Sequence, residues 1–90
     1  MLKSKEKLWE MRDRVQLTGL EDGQHAVIIA VNGGKHVIKR LADLGITHGT
    51  EVKIIRKTLL SGPIQVEVSG SRLVLGWGLA NKIQVSIHDR

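Results

Sequence analysis

Ile64-Gln65-Val66-Glu67-Val68-Ser69-Gly70-Ser71-Arg72-Leu73-Val74-Leu75 is the stretch on which the fold turns. Ile64, Val66 and Val68 alternate with Gln65, Glu67 and Ser69. Successive side chains of a strand point to opposite faces, so this segment has one apolar face and one polar face. Gly70-Ser71 is a tight hairpin signal, and Arg72 to Leu75 reads as the returning strand. Just upstream, Ser61-Gly62-Pro63 is a turn. Proline fixes its own backbone angle and has no N–H to give a ladder, which places Pro63 at the start of a strand.

Working outward, Thr50 to Thr58 is the preceding strand, with Val52 and Ile54 alternating with Glu51 and Lys53. On the other side, Gly76-Trp77-Gly78 interrupts the chain and Leu79-Ala80-Asn81 suits a short 3₁₀ turn. Ile83, Val85 and Ile87 then alternate with Gln84, Ser86 and His88 in a last strand. An earlier strand over Gln24 to Val31 contains the unbroken apolar run Ala26–Val31 and stops at Asn32-Gly33-Gly34. Between this strand and the next, Val37, Leu41 and Leu44 recur at helical spacing with Ile38 beside them, which predicts an amphipathic helix over 35–44. Gly45 stands where a left-handed C-terminal cap favours glycine. Leu17 to Gly23 is a turn-rich lead-in, and residues 1–16 are expected to be an N-terminal tail or a short helix, with Leu8, Met11 and Val15 at helical spacing. Five short strands make a sheet too small to leave its edges open. The expected fold is therefore mainly β: a small SH3-like five-stranded barrel over 17–90 with one inserted α-helix after the first strand.

The chain has 90 residues, enough for one domain. It has no cysteine, which excludes disulfides and thiolate metal ligands, and no phenylalanine or tyrosine, so its core must be aliphatic. No apolar stretch follows Lys3, Lys5 and Lys7, so a signal peptide is not expected and the location reads as cytoplasmic. A formal net charge of +5 points to an acidic partner, whether a protein surface, a nucleic acid or an anionic membrane face.

Catalytic and cofactor motifs are missing. Gly33-Gly34-Lys35-His36 lacks the earlier glycine and the hydroxyl residue of a phosphate-binding loop, and Gly76-x-Gly78 has Asn81 where a dinucleotide fingerprint needs its third glycine. No histidine has a serine and an acid set out for nucleophilic chemistry, so neither an enzyme nor a cofactor is expected. The histidines show no ligand spacing. His48 and Glu51 are the weak candidates for a metal, across a turn, and two ligands do not make a tight site.

The order Leu20-x-x-Gly23, Arg40-Leu41-x-x-Leu44-Gly45-Ile46-x-x-Gly49, Gly62-Pro63-x-x-Val66-x-Val68 and Ala80-x-x-Ile83-x-Val85 resembles the ferrous iron transport protein A (FeoA) family over residues 17–88. The resemblance implies an SH3-like cytosolic domain supporting ferrous iron uptake, whose partner is a membrane ferrous iron transporter with a cytosolic GTP-binding domain. The same barrel is similar to the C-terminal domain of iron-dependent repressors. No DNA-binding domain precedes it here, so the stand-alone role is the expected one. The alternative is a basic barrel that binds nucleic acid or regulates metal-dependent transcription. Small barrels of that kind usually carry stacking aromatics, whereas this chain has only Trp9 and Trp77, far apart in sequence, so nucleic acid is not expected.

The expected contact surface is the helix end and the loop after it, Lys39, Arg40, Leu44, Thr47 and His48, together with Trp77. The glycines Gly45 and Gly49 bracket that loop, and a tryptophan between two glycines is either a plug for the barrel end or an exposed anchor. Lys35 joins Lys39 and Arg40 on the helix, while Lys53, Arg56 and Lys57 line the strand that follows.

Overall fold

The computed structural model describes residues 14–87. Strands β1 (Arg14–Gln16), β2 (His25–Val31), β3 (Glu51–Lys57), β4 (Ile64–Val68), β5 (Ser71–Leu75) and β6 (Ile83–Ile87) form one antiparallel sheet in the order β1-β6-β2-β3-β4-β5. Helix α1 (Lys35–Asp43) joins β2 to β3, a 3₁₀ turn (Leu17–Gly19) follows β1, and the four-residue helix α2 (Trp77–Ala80) joins β5 to β6. The sheet wraps a single aliphatic core to which every strand and both helices contribute.

Three expectations change. Arg14–Gln16, placed by sequence in the tail, is a strand paired with β6, so there are six strands and the helix follows the second. The rest of that tail, residues 1–13, and His88 lie outside the described residues. The segment after β5 is α-helical rather than 3₁₀ and begins at Trp77, with Ala80 N–H donating to the Gly76 carbonyl and Asn81 N–H to Trp77, each four residues back. The β4–β5 turn is centred on Ser69 and Gly70, both at positive φ, and Ser71 already belongs to β5.

Alternation works as expected in β4, where Ile64, Val66 and Val68 are buried and Gln65 is exposed. It fails in the middle of β2 and β3, and for one reason. Each strand carries a bulge, with one extra residue against its partner: Ile29 between the Ile28–Val85 and Ala30–Gln84 pairs, and Ile55 between the Ile54–Val66 and Arg56–Gln65 pairs. Beyond each bulge the faces exchange. Lys57 is thereby set opposite buried Ile64, on the core side, and Ala30 is turned outward.

The helix ends as its sequence requires. Gly45 at φ 88° lets its own N–H reach the Ala42 carbonyl while Ile46 N–H reaches Leu41, both at 2.9 Å, which satisfies two carbonyls that a helix end otherwise leaves bare. Leu41 and Ile46 are both buried and close this cap apolarly. A Cβ at Gly45 meets only Val68 Cγ1 at 3.7 Å, so space is available and only the backbone angle resists. Gly45→Ala is expected to lower stability by about 1–2 kcal/mol, the usual cost of a left-handed non-glycine residue. A denaturation midpoint equal to that of the parent would show that the cap does not constrain the chain.

Among the described residues no helix is long and apolar enough to cross a membrane.

Candidate functional site

Helix α1 is held by Leu41, fully buried, and by Val37, which packs against the core. With about 100° between successive residues, Ile38 and Ala42 share the side of the helix next to that buried stripe. Ile38 is 47% exposed, an unusual position for an isoleucine on a packed helix. Ala30, turned outward beyond the β2 bulge, its neighbour Val31, and buried Ile46 after the cap border the same space. Together with Thr47 and His48 these residues line a largely apolar groove of about 200 Å³. Two alanines, Ala30 and Ala42, are what leave it empty of side chains.

The loop that supplies His48 is a tight turn. Thr50 N–H donates to the Thr47 carbonyl at 3.1 Å, the two threonine hydroxyls are 3.0 Å apart, and Gly49 at φ 89° carries the reversal. Gly49 N–H donates to the Ile28 carbonyl at 2.7 Å, and Ile28 N–H to Thr50 at 2.8 Å, so the turn is tied to β2 at the edge of its bulge.

The residues expected to form one contact surface divide. Thr47 and His48 line the groove. On the helix, Lys35 and Lys39 lie within about 100° of Ile38, beside the groove, whereas Arg40 is about 160° round the axis from Ile38. Leu44, 40% exposed, is the C-cap beyond the last helical residue rather than part of the helix stripe. Trp77 does not line the groove; it is half-buried, packed against the core at the start of α2. Lys39 Nζ approaches Asp43 Oδ2 at 3.7 Å, but both side chains are mostly exposed, so the pair is weak and leaves the lysine available.

The strand cations also divide. Lys53 faces outward in register with His25 and Glu67, and Arg56 is exposed beyond the bulge. Lys57 is not free at all. Its Nζ donates to the Thr18 and Leu20 carbonyls at 2.9 and 2.8 Å, while its backbone N–H donates to Asp22 Oδ1 at 2.9 Å. It pins the 3₁₀ turn and the lead-in loop to β3.

A second depression, of about 370 Å³, lies over the outer face of β2, β3 and β4 between His25, Glu51, Lys53 and Glu67. It is the larger but carries mixed charge, and Val52 is its single large apolar contributor. Of the two weak metal candidates, Glu51 lines this depression and His48 lines the groove. Among the described residues, no group of three or more His, Asp or Glu side chains is assembled to hold a metal ion.

Ile38, Ala30, Ala42 and Ile46 were not singled out by sequence as contact residues. Ile38 sits one position from the Val37–Leu41 stripe, and that offset was the available signal: an isoleucine at the border of an apolar face is where exposure begins. The alanines gave none, because a groove is made by what a small residue does not fill.

The chain is thus a small, mainly β, SH3-like domain with an apolar groove beside its longer helix. The family model described as FeoA domain matches residues 15–87, and the chain belongs to that family. It is 32% identical over 65 residues, 72% of this chain and 77% of the other, to the "Putative Fe(2+) transport protein A" of Methanocaldococcus jannaschii. A crystal structure of an iron uptake regulatory protein (FeoA) superposes with a TM-score of 0.79 at 27% identity, covering 83% of this chain and 99% of that one. A manganese-dependent transcriptional repressor shares the fold, with a TM-score of 0.77 at 20% identity, over 83% of this chain and 42% of its own.

Proposed function

We propose that this chain is a non-enzymatic accessory protein of ferrous iron transport, which works in the cytoplasm by docking on the cytosolic GTP-binding part of a membrane ferrous iron transporter. Membership of the FeoA family implies the involvement in ferrous iron transport. The observation that supports docking is the groove: exposed apolar side chains in a depression, beside Lys35 and Lys39. Contiguous exposed apolar surface with a polar rim is the usual mark of a protein-binding site. A protein of this kind acts by preference. If it binds one conformational or nucleotide state of its partner about tenfold more tightly than another, it shifts their balance by about 1.4 kcal/mol without taking part in any chemistry.

The test is binding to the solubilised transporter by the wild type and by two charge-reversed variants. Lys35→Glu with Lys39→Glu is expected to weaken binding about tenfold and to lower iron uptake, with the melting temperature nearly unchanged, since exposed substitutions rarely move stability by more than about 0.5 kcal/mol. Arg40→Glu, on the far side of the helix, is expected to bind almost normally. Full binding by the well-folded double variant removes the groove side of the helix from the interface.

A further inference from the structure

We propose that the groove beside α1 is an anchor pocket for one aliphatic side chain carried by an acidic segment of the partner protein. The inference rests on the docking function just described and names the chemistry of what docks. At about 200 Å³ the groove is smaller than pockets that enclose whole small molecules, which run to roughly 300 Å³ and above. Its walls are aliphatic: Ile38 and Ala42 from the helix, Ala30 and Val31 from β2, and Ile46 from below. A depression of that size and lining fits a single leucine, isoleucine or methionine side chain, the kind of central anchor on which interfaces concentrate their energy.

The rim decides what surrounds that side chain. Lys35 and Lys39 stand on the groove side of the helix and His48 is part of the groove's lining, while Asp43, weakly paired with Lys39, is the helix's one carboxylate. The net field along the rim is positive, on a chain of formal charge +5. Carboxylates flanking the anchor are favoured there and cations are repelled. A second copy of this chain brings like charge to the rim and is disfavoured for that reason.

The experiment is chemical-shift mapping on the full chain with three blocked five-residue peptides: leucine flanked by two glutamates on each side, serine in the same setting, and leucine flanked by lysines. The glutamate–leucine peptide is expected to shift the amides of Ala30, Val31, Ile38, Ala42 and His48. The serine and lysine peptides are each expected to bind at least about tenfold more weakly. Raising salt from about 20 to about 300 mM should weaken the first peptide severalfold. Ala42→Trp fills the groove from an exposed helical position and should abolish the shifts while the protein melts normally; Ala42→Leu serves the same purpose should the larger side chain disturb folding. Equal binding of the leucine and serine peptides, equal binding of the lysine peptide, or shifts confined to other surfaces would overturn the inference. So would groove shifts that grow with protein concentration in the absence of peptide, which would make a second copy the occupant. A groove that binds the acidic peptide in a protein that ignores the transporter keeps this pocket and removes the proposed partner. Undiminished transporter binding by Ala42→Trp, with the peptide lost, leaves the partner and removes the pocket from its interface.

Discussion

Val66→Asp is expected to unfold the domain outright, while Gln65→Asp, one residue away, leaves it folded. Val66 is fully buried, between Ile54 of β3 and Leu73 of β5 in the ladder, and belongs to the one core that all the strands share. Its ladder partners and the core around it are aliphatic, and the ammonium of Lys57, on the same side of β3, is already committed to the Thr18 and Leu20 carbonyls. An ionised carboxylate left unpaired in such surroundings costs several kcal/mol at the least, and keeping it protonated is also costly at neutral pH. Against this, a chain of 90 residues commands a total stability of only about 5–13 kcal/mol. Gln65 is exposed on the opposite face of the same strand, in register with Arg56 and Val74, so an aspartate there stays in water with a cation across from it. Circular dichroism and a urea titration of the two variants make the comparison. A cooperative, nearly unchanged transition for Val66→Asp would mean that this face of β4 does not line the core.

Lys57→Met carries the second large effect, a loss of about 2–3 kcal/mol. Its ammonium makes two hydrogen bonds to main-chain carbonyls, of Thr18 and Leu20, and bonds to a charged group contribute about 1.5–3 kcal/mol each before exposure is discounted. The methionine keeps the length and the packing of the stem but leaves both carbonyls without their donor. The backbone bond from Lys57 to Asp22 survives, so the loss should be local to the 3₁₀ turn and the lead-in loop. Hydrogen exchange reads this directly: amides over residues 17–24 are expected to lose protection before those of β4. Unaltered stability together with unaltered protection of that segment would show that water replaces the ammonium without cost. Lys57→Arg is not expected to rescue fully, because a planar guanidinium does not present its donors as a compact ammonium does.

These two residues also show how differently position and role are encoded. The face on which Val66 lies follows from alternation alone. That of Lys57 does not, because Ile55 is inserted ahead of it and exchanges the faces. Counted along the strand, Lys57 joins Lys53 and Arg56 in a run of cations and looks like part of a solvated basic surface. In the folded chain it is a structural residue, and among the described residues the exposed cations are those of the helix and a few separated side chains. The residues grouped by sequence into one surface are redistributed in the same way: Thr47 and His48 line a depression, Lys39 lies on the Ile38 side of the helix and Arg40 on the other, and Trp77 is half-buried against the core.

The period-two pattern of Ile64–Val68, the turn residues around it, the helical spacing of Val37 and Leu41 and the glycine at position 45 were enough to determine a small mainly β barrel with one inserted helix, because each depends on neighbours along the chain. The family was equally legible, since its motifs are made of those same local elements. What only the tertiary structure decided were features that depend on pairing between distant segments. The three residues of β1 are too short to show a period and become a strand only by lying against β6. The bulges in β2 and β3 are defined by the partner strand, not by their own sequence. The groove exists because Ala30, Ala42 and Ile46, which are separated along the chain and unremarkable in it, meet around a space that none of them fills. Local chemistry sets which way each segment can fold; only the packing of one segment on another sets what is left open between them.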